Sequence, residues 1–158
     1  MKFTQDMMLQ SDSGYCMPFE EKGKDVEMSL GYGKQKHPKT GEMFFHHGVD
    51  FPVKHYLLSA LATGKVTGLG NDAVHGIYQV IRYGLYEVTY SHLSNVFANY
   101  GTEVKAGQAV AVSADLPHME VKYNGEELNP LELQTMVCPL YKSPSPRDRQ
   151  RARMPSSA

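Results

Sequence analysis

Apolar and polar residues alternate along most of the chain, and this period of two is typical of β-strands that bury one face. Ile77 to Tyr83 and Tyr86 to Ser91 alternate on either side of Gly84-Leu85 and are rich in β-branched and aromatic residues, so they predict a strand pair. Gly64 to Leu69 predicts a further strand, whereas residues 56–61 fit a strand or a helix by periodicity alone. We expect an all-β fold, a single domain built as an antiparallel sheet or sandwich.

Turn and helix signals lie between these strands. Residues 68–72 contain two glycines, an asparagine and an aspartate, and they predict a turn. Residues 93–99 predict one helical turn, and residues 105–107 predict the bend of a hairpin. Asn124-Gly125 is a strong two-residue hairpin signal. Asn129 is a suitable N-cap for a short helix that starts at the following proline.

The stretch from His46 to Asp50 carries the first candidate chemistry. On a strand His46, Gly48 and Asp50 share one face, which places an imidazole and a carboxylate on either side of a residue without a side chain. Imidazole and carboxylate are both zinc ligands, and the glycine leaves room for an ion between them. The alternative is a histidine pair on a surface loop, and this stretch alone leaves both interpretations open.

Two later stretches extend the metal hypothesis. Tyr90-Ser91-His92-Leu93 lies at the end of a predicted strand, and His118 and Glu120 alternate with apolar residues on another. A ligand from a distant strand is what a catalytic zinc needs, because three protein ligands leave a fourth position open for water.

In the order and spacing of its motifs, the chain resembles the lysostaphin-type (M23) zinc endopeptidases, which cut peptidoglycan cross-bridges. The resemblance runs from about Ser29 to Pro130 and rests on Phe45-His46-His47-Gly48-Val49-Asp50-Phe51, on Tyr90-Ser91-His92-Leu93 and on Gly101-Thr102-Glu103-Val104-Lys105-Ala106-Gly107-Gln108. It implies the lysostaphin-type fold with a central groove. It also implies that His46, Asp50 and His118 bind one zinc ion and that His92 is catalytic.

One departure from the family pattern falls at the last motif, H-x-H-F-E, whose first histidine is catalytic and whose second binds zinc. The corresponding run here is Leu116-Pro117-His118-Met119-Glu120. A shifted register would make His118 catalytic and Glu120 the ligand, but the interval to Asn124-Gly125 and Asn129 keeps His118 in the ligand position. Leu116 then replaces a catalytic histidine. Since positions 116 and 118 of a strand point the same way, we expect Leu116 to project toward the groove.

The resemblance supports two hypotheses about function. The first is a zinc metalloendopeptidase that acts on peptidoglycan cross-bridge or stem peptides. The second is a catalytically reduced domain that binds zinc and serves as a peptidoglycan-binding or assembly module; Leu116 and the short segment of residues 112–115 favour it. His47, His55 and His75 are candidates to replace the missing group, although each also fits a surface histidine.

Composition divides the chain into three parts. We expect residues 1–25 to form a leader or an edge segment, residues 26–141 to form the peptidase-like domain, and residues 142–158 to form a disordered tail. The tail carries five basic residues and one acidic residue, a net charge of +4, but we expect no specific nucleic-acid partner.

The sequence gives mixed indications about the compartment. No apolar run approaches the roughly 20 residues that span a bilayer. Residues 1–10 do not resemble a secretory signal, whereas the family implies an extracytoplasmic location in the periplasm, in the cell envelope or outside the cell. Cys16 and Cys138 are either a disulfide or two unrelated thiols, and no pattern indicates an oligomeric state.

Overall fold

The computed structural model describes residues 7–17, 20–21, 24–25, 31–133 and 136–137. Strands dominate this part of the chain, and a short helical stretch covers residues 130–133 and 136–137. The strands are β1 (Glu20–Glu21), β2 (Lys24–Asp25), β3 (Gly33–Lys36), β4 (Met43–His46), β5 (Val49–Asp50), β6 (Leu57–Ser59), β7 (Gly64–Asp72), β8 (Gly76–Tyr83), β9 (Tyr86–Val96), β10 (Glu103–Val104), β11 (Ala109–Tyr123) and β12 (Glu126–Leu128).

One antiparallel sheet organises the domain. Its strand order is β10-β7-β8-β9-β11-β12, and β5 and β6 also pair with β11. The long strand β11 therefore has β9 along one edge, and β6, β5 and β12 in succession along the other. Strands β3 and β4 form a separate two-stranded sheet, as do β1 and β2. The prediction of an all-β, antiparallel fold is confirmed.

Buried tyrosines explain why the β8–β9 pair is stable. Tyr83, Tyr86 and Tyr90 are almost completely buried, and the side chains alternate as a strand with one buried face requires. Their hydroxyls need partners inside the core. The Leu61 N–H donates to the Tyr83 hydroxyl at 3.1 Å, and the Tyr86 hydroxyl donates to the carbonyl of Met7 at 2.6 Å.

Register shifts interrupt the alternation next to site residues in β9 and in β11. In β9 the pairing with β8 shifts between Tyr90 and Leu93, and His92 has a φ of 57°. In β11 the pairing with β9 shifts between Ser113 and His118. A bulge turns a side chain away from the regular direction of its strand, and bulges are frequent next to active sites.

The N-terminal segment of residues 7–17 packs against the sheet. Leu9 and Met17 belong to the hydrophobic core, and the Cys16 N–H donates to the Leu61 carbonyl at 2.7 Å. The domain boundaries after residues 25 and 141 stay predictions. Cys138, the tail of residues 142–158, and residues 26–30 at the start of the expected peptidase-like domain lie outside the described residues.

Three local predictions are wrong. Residues 68–72 belong to β7 and the turn follows at residues 73–75, while β9 continues through residues 93–96, where a helical turn was expected. Residues 105–107 do turn the chain, but β10 pairs with β7 and not with β11. The glycines of β7 are explained by close packing: a Cβ on Gly70 would collide with the Tyr78 hydroxyl, so this glycine marks a close approach within a strand.

The remaining signals are confirmed. Residues 57–59 form a strand, which decides the ambiguous segment. Asn124 and Gly125 have φ values of 49° and 85° and connect β11 to β12, as the two-residue hairpin turn requires. The Leu131 N–H donates to Asn129 Oδ1 at 3.0 Å, so Asn129 caps the helical stretch.

Candidate metal centre and groove

The first metal motif is bent, not one continuous strand. His46 ends β4, the chain bends at His47 and Gly48, and Val49 and Asp50 form β5. The predicted single strand face is therefore wrong, although His46 and Asp50 still meet. The bend carries the chain from the small β3–β4 sheet to the edge of β11, where Asp50 pairs directly with His118.

Three side chains converge at this point. Asp50 Oδ1 lies 3.4 Å from His46 Nε2 and 2.6 Å from His118 Nδ1. One ligand atom from each of the three residues lies within 4.8 Å of the others. Two imidazole nitrogens and one carboxylate oxygen at these separations are suited to hold one metal ion.

Hydrogen bonds on the far side of each imidazole fix which nitrogen faces the carboxylate. His46 Nδ1 lies 2.7 Å from the Gly31 carbonyl, to which it must donate, so the lone pair of His46 is on Nε2. His118 Nε2 lies 3.4 Å from Glu120 Oε2, which favours a proton on Nε2 and a lone pair on Nδ1. This is the arrangement in which a neighbouring acceptor orients a metal-binding histidine.

Gly48 makes room for the imidazole of His118. A Cβ at this position would lie 2.6 Å from His118 Nε2 and would also collide with the Met119 carbonyl. Its φ is not in the left-handed region, so the glycine is required by space and not by backbone conformation. The glycine therefore lets the His118 ring lie close to the bend, with Nδ1 directed toward Asp50.

The acidic surroundings control the charge of His118. Burial lowers the pKa of His118, but the hydrogen bonds with Asp50 and Glu120 outweigh burial and raise that pKa to about 9. The hydrogen bond with His118 holds the pKa of Glu120 below its ordinary value, and the nearby charges of His75 and His47 act in the same direction. Without a metal, a proton therefore occupies the place that the metal would take.

A groove of about 470 Å³ runs over the three converging residues. His92, the predicted catalytic residue, lines the same groove at the β9 bulge, and its N–H donates to the His75 carbonyl at 2.8 Å. The groove is lined by Phe44, Phe45, His46, His47, Asp50, Val74, His75, Ser91, His92, His118 and Glu120. The four residues singled out in the sequence therefore share one cavity.

Sequence reasoning did not place two further histidines in this groove. His47 lines it and bonds through Nδ1 to Glu127 Oε1 at 2.9 Å. His75 lines it from the turn between β7 and β8. The spacing Asp72-x-x-His75 in a turn is the sequence signal for an aspartate–histidine contact. His55, in contrast, is exposed and is not among the lining residues.

Leu116 does not occupy the expected place. Its side chain is 51% exposed and is not among the residues that line the groove. Its φ of 49° interrupts the strand, so the alternation that relates positions 116 and 118 does not hold across Pro117. The Leu116 N–H donates to the Val53 carbonyl, which ties this bulge to the segment after β5.

Known proteins are similar to this chain in sequence and in fold. An uncharacterized metalloprotease of Haemophilus influenzae is 34% identical over 110 residues, which are 63% of this chain and 23% of that protein. The peptidoglycan DD-endopeptidase ShyB of Vibrio cholerae is 35% identical over 83 residues, which are 51% of this chain and 19% of that protein. A crystal structure of a zinc-containing peptidase from Vibrio cholerae superposes with a TM-score of 0.62 at 25% identity, covering 75% of this chain and 39% of that one.

The chain thus spans about a fifth to a quarter of the length of the Haemophilus influenzae metalloprotease and of ShyB. Within the described residues, no helix is long and apolar enough to cross a membrane. The model of peptidase family M23 matches residues 44–130, a segment that begins just before His46, ends just after the β11–β12 hairpin and includes every residue of the converging set. More than half of the 158 residues fall in that match, and the chain belongs to peptidase family M23.

Proposed function

We propose that this domain is a zinc-dependent endopeptidase that hydrolyses peptide bonds in the cross-bridges or stem peptides of peptidoglycan. The observation that carries the proposal is the convergence of His46 Nε2, Asp50 Oδ1 and His118 Nδ1 on one point of an open groove. A structural metal site is usually closed by a fourth protein ligand, whereas the group formed by the described residues has three, which supports a position for water and substrate.

Zinc is the metal that best fits these donors. Two imidazoles and one carboxylate are a familiar ligand set of catalytic zinc, and His46 and His118 both have the acceptor on the far side that such ligands use. A zinc ion bound here would lower the pKa of its water and polarise the carbonyl of the scissile bond. The zinc in the similar peptidase structure supports the same choice.

The groove can bind an extended peptide beside the site. Phe44 and Phe45 line one wall, and Phe45 is 46% exposed, so the wall offers aromatic surface to substrate side chains. His92 lies at the β9 bulge and lines the groove, which supports a role in moving a proton or in stabilising the oxyanion. The family and the similarity to a peptidoglycan DD-endopeptidase support peptidoglycan as the substrate. Such a substrate implies an extracytoplasmic location.

Cleavage of purified peptidoglycan tests the proposal. The protein with one equivalent of zinc should release new amino groups from peptidoglycan, a chelator should stop the release, and added zinc should restore it. His55→Asn serves as the control variant because His55 is exposed and lies outside the groove. A zinc-loaded wild type that releases no amino groups would contradict the endopeptidase proposal.

One observation favours a second candidate, a reduced domain that binds zinc and peptidoglycan without cutting it. Leu116 holds the position of a histidine in the family motif and has no group that can donate or accept a proton. This candidate predicts that zinc-loaded protein sediments with peptidoglycan while the amino-group content stays constant.

A further inference from the structure

We propose that His75, oriented by Asp72, is the second proton-transferring imidazole of this groove and takes over the task that Leu116 cannot perform. The inference rests on the proposed endopeptidase function and deepens it. It is carried by contacts of the β7–β8 turn that are independent of the metal-binding residues.

The Asp72 carboxylate is the centre of this turn. Its Oδ1 accepts hydrogen bonds from the Val74 N–H at 2.9 Å and from the His75 N–H at 2.6 Å, and the His75 Nδ1 lies 3.0 Å from Oδ2. The backbone and side-chain hydrogen bonds from His75 hold the pKa of Asp72 below its ordinary value. The carboxylate therefore stays charged and fixes both the turn and the ring of His75.

Further contacts place this ring at the groove. The His75 carbonyl accepts the N–H of His92 at 2.8 Å, so the turn is joined directly to the bulge that carries the predicted catalytic residue. The ring of His75 packs against Tyr78, with centroids 5.5 Å apart, and it lines the groove that contains Glu120. Two imidazoles from adjacent segments thus flank the same cavity.

The contact with Asp72 determines the chemistry of the ring. An imidazole whose Nδ1 faces a carboxylate keeps its proton on Nδ1, so the Nε2 of neutral His75 presents a lone pair. A carboxylate in this position also stabilises the imidazolium that forms when Nε2 takes up a proton, as in other aspartate-oriented histidines. The pair has the features of a general base.

In the proposed step, His75 Nε2 accepts one proton from the attacking water while the water oxygen bonds to the carbonyl carbon. His75 then gives this proton to the amide nitrogen as the carbon–nitrogen bond breaks. One water is consumed, a carboxyl and an amine are formed, and the imidazole returns to its neutral form. His75 is the catalytic residue in this scheme and Asp72 is a positioning residue.

The alternative is that the contact between His75 and Asp72 only stabilises the turn. The exposure of the two side chains, 38% for His75 and 46% for Asp72, favours this alternative. A general base must reach water and substrate, so partial exposure is also what the catalytic role requires. His55 is exposed, is not among the residues that line the groove, and makes no hydrogen bond or ion pair with an acid among the described residues. It therefore provides a matched comparison within the same chain.

The experiment compares His75→Asn with His55→Asn on a soluble cross-linked muropeptide. Asparagine suits a turn and can still donate a hydrogen bond to Asp72, but it cannot accept the proton. We expect His75→Asn to lower kcat by about 10²–10⁴-fold, the usual effect of losing one acid–base group, with KM nearly unchanged. Zinc content and melting temperature should match the wild type, and His55→Asn should keep the wild-type kcat.

Nitrogen NMR of histidine-labelled protein adds a readout that does not depend on cleavage. The wild type should show His75 as the Nδ1–H tautomer, and Asp72→Asn should shift this tautomer balance toward Nε2–H while lowering kcat. A structural role of Asp72 alone would leave the tautomer of a folded variant unchanged.

The possible results distinguish the role of His75 from the endopeptidase function on which it rests. An active wild type with an equally active His75→Asn variant would overturn the role of His75 and leave the endopeptidase proposal standing. A zinc-loaded wild type without cleavage would overturn both. A His75 found as the Nε2–H tautomer in the wild type would also contradict the inference, because Nε2 would then have no lone pair to accept a proton.

Discussion

The two walls of the groove are built in different ways. On one wall, His46 and His118 have side chains that are 12% and 15% exposed, and each is oriented by a bond from its second nitrogen. On the other wall, His75 is 38% exposed and is held by a turn aspartate. The wall proposed to bind the metal is largely shielded from solvent, whereas the wall proposed to transfer protons is more open to water.

This difference follows from what each wall must do. Metal ligands must stay within a few tenths of an ångström of fixed positions, which burial and neighbouring hydrogen bonds provide. A group that exchanges protons with water and substrate needs access, so a turn at the groove edge suits it. The comparison predicts that substitutions on the first wall remove the metal, whereas substitutions on the second wall slow the reaction and leave the metal in place.

The largest effect is expected for His118→Ala. The variant should lose most of its bound zinc and all measurable cleavage, because two remaining ligands hold zinc poorly. Elemental analysis of protein purified without chelator measures the zinc content, with His55→Asn as the control. Full zinc occupancy in His118→Ala would show that the ligand set of the first wall is assigned incorrectly.

His92→Ala tests the wall that carries His75, because the His92 N–H donates to the His75 carbonyl and both residues line the groove. Removal of one acid–base or oxyanion-stabilising group should lower kcat by about 10²–10⁴-fold. Zinc content should remain at the wild-type level because His92 is not among the converging ligands. Kinetics and elemental analysis on the same preparation check both points, and a loss of zinc together with activity would place His92 on the metal-binding wall instead.

Glu120→Gln should have an intermediate effect on the first wall. The substitution removes the charged acceptor beside His118 Nε2 while all three ligands remain. Loss of such a partner typically weakens metal affinity by about 10–100-fold. Competition with a chelator of known zinc affinity measures the change. Unaltered affinity would indicate that Glu120 does not orient His118.

Zinc affinity should also depend on pH. Without metal the pKa of His118 is raised to about 9, so below that pH the imidazole is protonated and zinc must displace the proton. Affinity should therefore increase with pH, by up to about tenfold per unit, and level off above pH 9. Calorimetry in buffers of different ionisation enthalpy would show one proton released per zinc near neutral pH. An affinity independent of pH would contradict the protonated state of His118.

The smallest effect is expected for Leu116→His. Position 116 has a φ of 49° and its side chain does not line the groove, so a histidine there has no direct approach to the reacting atoms. The variant should cleave the muropeptide at nearly the wild-type rate. A large increase would mean that the missing histidine still limits the reaction, and it would weaken the case for His75.

Local sequence patterns were sufficient for much of the fold. The Asn124-Gly125 turn and the Asn129 cap depend on backbone conformation and nearest neighbours, so short-range reasoning identified them correctly. Gly70 misled the same reasoning, because a glycine that permits close packing of a tyrosine on the neighbouring strand looks the same in sequence as a turn glycine. The alternating β8 and β9 strands were predictable because one face of each is buried.

The sequence by itself determined the motifs, since their residue types and spacing are written along the chain, and the resemblance to the family carried by those motifs implied the three candidate ligands. Only the tertiary structure decided that His46 and Asp50 meet across a bend, that Leu116 turns away at a bulge, and that His75 reaches the groove beside His92. The physical reason is that bulges and turns change side-chain direction through strand register, and register depends on partners far away in the sequence.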